Sequence, residues 1–142
     1  MKNLFSVEGK VALVTGGSRG IGESIARAYV TNGARVYITS RKAEDCEQTA
    51  AKLAEFGECT AIPENLGTTD GIDRVASRIA ASEPRLDILV NNAGATWGAL
   101  IDDYPEAGWD KVVDLNMKSP FFLTQRLLPQ LRAAASPANP AR

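Results

Sequence analysis

Residues Thr15 to Gly22 read T-G-G-S-R-G-I-G, after the apolar run Val11-Ala12-Leu13-Val14 and before a stretch of helical periodicity. Strand, glycine turn and helix start in that order make a cradle for phosphate. Glycine is required at Gly16 for a tight turn, at Gly20 to let backbone approach an anion, and at Gly22 for close helix–strand packing. Free N–H groups at the helix start then face the negative charge. A bare three-glycine pattern is a weak signal, and an unliganded glycine-rich connection is the bland alternative. A second strand at βαβ distance favours a dinucleotide. After that strand the chain reads Thr39-Ser40-Arg41-Lys42, where a carboxylate would accept bonds from the ribose hydroxyls of NAD. Basic residues there suit a phosphate instead. The planar forks of Arg41 and Arg19 pair with a dianion, so the reading is NADP, against the plainer one of two solvated arginines.

The elements that position these groups alternate. Strand-like runs at 11–14, 36–39, 59–62 and 88–90 are separated by helical patterns, which calls for an α/β doubly wound parallel sheet. The first helix carries Ile21, Ile25, Ala28 and Tyr29 at helical spacing and ends near Gly33. A second is expected from about Ala43 to Phe56, with Leu53 and Phe56 inward. The third carries the stripe Ile72, Val75, Ala76 and Ile79, with Thr69 or Asp70 as N-cap. A last helix from about Trp109 to Ala134, kinked at Pro120, is apolar on more than one face, which suits a partner subunit as well as the sheet. Residues 1–134 read as a partial Rossmann domain, and 135–142 as a disordered tail or loop.

Composition excludes several classes. A chain of 142 residues, 44% apolar, with net charge −1, holds one domain and has no field that would draw it to nucleic acid or an anionic membrane. No apolar stretch reaches membrane-spanning length, and Met1 to Glu8 lacks the character of a signal peptide, so a cytoplasmic protein is expected. Cys46 and Cys59 are too widely spaced for a redox or zinc pair and read as buried free thiols. With no histidine, metal sites and histidine-based acid–base mechanisms are not expected within the chain.

After the fourth strand stands Asn91-Asn92-Ala93-Gly94, and later Leu115-Asn116. With T-G-G-S-R-G-I-G, these motifs resemble the short-chain dehydrogenases/reductases from about Leu4 to the end of the chain, and within them the bacterial NADPH-dependent 3-oxoacyl reductases. The resemblance implies hydride transfer to the ketone of a 3-oxoacyl thioester and a strand order of 3-2-1-4. It places Gly16, Ser18, Arg19, Gly20, Ile21 and Gly22 along the pyrophosphate and 2′-phosphate, with Arg41 clamping the latter. Asn65 and Leu66 fall beside the adenine; many relatives have aspartate at the first of these positions. Asn92, Ala93 and Gly94 fall along the cofactor, and Asn116 matches the asparagine that supports a proton relay. Trp97, Trp109 and Tyr104 border a substrate pocket or simply pack.

One departure is large. Reduction of a ketone needs a proton donor and a hydrogen bond to the developing oxyanion, which relatives supply with Ser and Tyr-x-x-x-Lys. Here Tyr29, Tyr37 and Tyr104 are followed four residues later by Gly33, Arg41 and Gly108. Of the groups the resemblance assigns to catalysis, only the supporting Asn116 is therefore present. The chain reads as the amino-terminal, cofactor-binding part of a longer reductase, inactive alone, with its fourth strand left as an exposed apolar edge. Two alternatives remain open: a non-catalytic nucleotide-binding or subunit-interaction polypeptide, and a reductase for another carbonyl such as a sugar or steroid.

Overall fold

A computed structural model describes residues 5–142. The first four residues, where the resemblance and the leader reading begin, lie outside that range. Four parallel strands form one sheet in the order β3-β2-β1-β4: β1 Val11–Thr15, β2 Arg35–Thr39, β3 Cys59–Ala61 and β4 Ile88–Val90. Leu13 is in register with Tyr37 on one side and Leu89 on the other. The run VALVT of β1 is buried at every position, as a central strand covered on both faces must be.

Alternation of side chains divides the core in two. Leu13 and Tyr37 point to the face covered by α3 (Thr69–Ser82) and α5 (Ser119–Ala134), packing with Ile72, Val75, Ile79, Leu123 and Leu127. Val14 and Ile38 point to the opposite face, under α1 (Gly20–Thr31) and α2 (Ala43–Leu53), with Ala26, Val30 and Leu53. Each such aliphatic side chain contributes about 1.5–3 kcal/mol by leaving water. Two packed helical layers on one sheet make the doubly wound fold.

Several details differ from the periodicity reading. The buried stripe of α1 is Gly22, Ala26 and Val30, while Ile21 is 74% exposed; small residues face the sheet because the helix lies too close to admit larger ones. α2 ends at Leu53, and Phe56 turns outward beneath the Arg27 guanidinium, 4.9 Å from its ring centre. The N-cap of α3 is Thr68, whose hydroxyl accepts from Gly71 N–H at 3.1 Å. The long last helix is two: α4 (Glu106–Val113) and α5, joined through a π-helical turn at Asp114–Lys118. Pro120, in the first turn of α5, cannot donate to the carbonyl four residues back. The register opens instead, and Ser119 N–H reaches Asp114 O.

The segment after α5 is a loop that makes hydrogen bonds to the body of the fold. Ser136 and Asn139 exchange backbone hydrogen bonds, and Lys10 Nζ donates to Asn139 Oδ1 at 2.9 Å. Arg142 N–H donates to Asp87 O at 2.9 Å and its carbonyl accepts from Leu89 N–H at 2.7 Å. Arg142 thus meets the edge of β4 at one point, and along that strand Ile88 is buried while Leu89 and Val90 are half-buried.

Candidate functional site

The carboxyl ends of β1, β2 and β4, with the loops that follow, enclose a cavity of about 400 Å3. Open α/β sheets bind ligands at this end. From the first loop, Gly16, Ser18, Arg19, Gly20, Ile21 and Gly22 line it; from the second, Arg41; from the third, Leu66; from the fourth, Asn92, Ala93 and Gly94. Eleven of the twelve residues expected from the sequence along the coenzyme therefore meet in one place.

The first loop has the shape an anion requires. Gly16 adopts φ 64°, and a Cβ on Gly22 would stand 2.2 Å from Gly16 O, so both positions exclude a side chain. No side chain caps the N-terminus of α1, which leaves its N–H groups directed at the cavity. Arg19 and Arg41 are exposed, and neither forms an ion pair among the described residues. Thr39 Oγ1, on the cavity wall, is buried without a hydrogen-bond partner among the described residues. A glycine cradle, an uncapped helix start and two uncommitted guanidiniums fit a phosphorylated dinucleotide.

A hydrogen-bond hub that the sequence reading missed holds the first and fourth loops together. Thr15, 2% exposed, donates from Oγ1 to Val90 O at 3.1 Å and accepts from Asn92 N–H at 3.0 Å and Ala93 N–H at 2.9 Å. Asn92 Nδ2 in turn donates to Thr15 O at 2.9 Å and Gly16 O at 3.3 Å. Asn92 thus spends its amide on the scaffold. The signal was present, since a threonine ending a buried apolar strand needs partners for its hydroxyl.

Two of the expected residues lie off the cavity. Asn65 accepts from Gly67 N–H at 3.0 Å through Oδ1, an Asx turn ahead of α3; its neighbours Glu64 and Leu66 line the space instead. Glu64 was not anticipated. Asn116 sits in the π-helical turn, where Oδ1 accepts from Ala95 N–H at 2.7 Å and Nδ2 donates to Ala95 O at 3.0 Å. It ties α4 and α5 to the loop after β4. Trp97 packs its ring over Gly108, and Lys111 Nζ lies 5.3 Å from the ring centre. Trp109 is 62% exposed and Tyr104 half-buried.

Other chemistry is sparse. Cys46 and Cys59 are unpaired, and burial pushes both thiols up, Cys59 to about 12, which keeps them protonated and unreactive at neutral pH. Among the described residues no group of three His, Cys, Asp or Glu is placed to hold a metal. No described helix is long and apolar enough to cross a membrane.

Comparison with known proteins agrees with this geometry. The chain is 51% identical, over all 142 residues, to the rhamnolipids biosynthesis 3-oxoacyl-[acyl-carrier-protein] reductase of Pseudomonas aeruginosa, and covers 56% of that protein. Nodulation protein G of a Rhizobium species is 38% identical over 87% of the chain, which covers 50% of it. The chain therefore spans about half the length of these curated relatives. Among solved structures, the Pseudomonas aeruginosa RhlG/NADP active-site complex superposes with a TM-score of 0.94 at 51% identity, over all of this chain and 56% of that one. A metagenomic short-chain oxidoreductase in complex with NADP superposes at 0.84 with 38% identity, over 91% and 59% of the two chains. The model of the short chain dehydrogenase family matches residues 10–138. With the sheet order, the glycine loop and this match in agreement, the chain belongs to the short-chain dehydrogenase family.

Proposed function

We propose that this chain is the coenzyme-binding part of an NADP(H)-dependent reductase that acts on the ketone of 3-oxoacyl thioesters. One observation carries the coenzyme half of the reading: the cavity joins a phosphate-shaped glycine turn to two arginines with no acidic partner among the described residues. Arg19 and Arg41 would hold the ribose phosphate, and the start of α1 the pyrophosphate. Leu66 offers an apolar contact to the adenine. Thr15 and Asn92 brace the loop bearing Ala93 and Gly94, and Asn116 braces it from the other side. The bound coenzyme supplies hydride. The substrate half of the reading is supported by 51% identity to a protein named as a 3-oxoacyl-[acyl-carrier-protein] reductase.

No tyrosine in these 142 residues is followed by lysine at the fourth position, which favours a second reading of the chain taken alone, as a nucleotide-binding unit without catalysis. A fusion to the carboxyl-terminal half of a relative carrying Tyr-x-x-x-Lys tests both. Steady-state assays should show NADPH oxidation with a 3-oxoacyl thioester by the fusion and none by the chain alone. A fusion that binds NADPH but reduces only sugars or steroids would remove the thioester claim.

Self-association through α4 and α5 is part of the proposal, because Trp109, Met117 and Phe121 expose 62–70% of their surface there. Sedimentation equilibrium should show oligomers that Phe121→Glu weakens; a monomer at all concentrations contradicts it. A cytoplasmic location suits the two unpaired thiols.

A further inference from the structure

The cavity wall that carries Arg19 and Arg41 also carries two carboxylates, Asp45 and Glu64. Negative charge in that position opposes a phosphate dianion. Each is matched by a cation. Asp45 Oδ2 lies 3.9 Å from Lys42 Nζ in the first turn of α2. Glu64 Oε1 accepts a hydrogen bond from Arg74 Nε at 2.8 Å, and Arg74 stands on α3, outside the cavity lining.

The position of Glu64 makes its partner consequential. Its backbone N–H donates to Ser40 O at 2.9 Å, so the residue bearing this carboxylate is tied to the one immediately before Arg41. Arg41 is the next cation along that strand end. Without Arg74, Glu64 would be free to pair with the guanidinium that the ribose phosphate needs. We propose that Arg74 is a positioning residue for coenzyme selection, holding Glu64 off Arg41 so that Arg41 stays available to the 2′-phosphate. The proposal rests on the NADP(H) reading above and adds a determinant on a helix that does not line the site.

The pair is partly solvated, with Arg74 57% and Glu64 21% exposed, so the effect is several-fold and weakens with salt. The test is fluorescence titration of the folded chain with NADPH and with NADH, for the parent, Arg74→Gln, Arg74→Lys, Glu64→Gln and the double variant Glu64→Gln/Arg74→Gln. Arg74→Gln should raise the Kd for NADPH about three- to fivefold and that for NADH less than twofold. Arg74→Lys should stay near the parent. The double variant should regain NADPH affinity, since the stray carboxylate is gone. Equal loss for both coenzymes, or no recovery in the double variant, overturns the proposal. If Arg74→Gln does not fold, Glu64→Gln decides: unchanged or tighter NADPH binding supports the proposal, and weaker binding overturns it. Absence of saturable NADPH binding by the folded parent overturns the coenzyme reading itself and the proposal with it.

Discussion

Thr15 spends a single buried hydroxyl on three backbone groups, donating to Val90 and accepting from Asn92 and Ala93. Thr15→Val keeps the shape and removes all three bonds; Asn92 N–H still reaches Val90 O at 3.0 Å, and the part-buried Ala93 N–H is left without its acceptor. A loss of about 2–3 kcal/mol is expected from urea unfolding, with Thr15→Ser near the parent; equal stability of both variants would deny the hub. The glycine positions were legible from sequence because a tight turn and a close helix approach restrict residue type at the backbone itself, as the 2.2 Å clearance at Gly22 shows. Asn65 and Glu64 were not. Whether a side chain at the end of β3 faces the cavity or closes its own Asx turn depends on the local path of the backbone, and residue type is compatible with both.

At the scale of elements, β2 and the end of α3 are joined by a buried carboxylate. Glu83, 4% exposed, accepts from Tyr37 Oη at 2.7 Å and pairs with Arg35 Nη1 at 3.0 Å, while Arg35 also holds the exposed Glu58. Burial, and then the bond to Glu83, push the Tyr37 hydroxyl up from 10 to about 12. The folded state therefore keeps this proton while the unfolded chain loses it. That contribution to stability is complete below pH 10 and is lost as pH rises towards about 12. Tyr37→Phe should cost about 1–2 kcal/mol at pH 8 and flatten the fall in urea midpoint between pH 10 and 12; parallel pH profiles would contradict this account. The strands and the α3 stripe were legible because burial on one or both faces writes a period into the residues. The π-helical turn was not, since Pro120 signals a break in hydrogen bonding while the choice between a kink and an opened register is made by packing on either side.

At the scale of the molecule, the four strands and five α-helices of the described residues assemble the coenzyme end of a doubly wound fold, and the 142 residues cover 56% of the Pseudomonas reductase they match. The parallel sheet with helices on both faces was readable from alternation, and its strand order followed from the family resemblance. The engagement of Arg142 with β4 was not readable, because small and proline-containing residues carry no periodic signal. The central claim is that the cavity at the sheet's carboxyl edge binds a nicotinamide coenzyme and that Arg41 selects its phosphorylated form. Equilibrium dialysis of the folded chain against NADPH and NADH, repeated for Arg41→Asp, tests it most directly. The account predicts saturable NADPH binding at least about tenfold tighter than NADH in the parent, with that preference abolished or reversed in the variant. Equal affinities in the parent, or a preference untouched by Arg41→Asp, would contradict it.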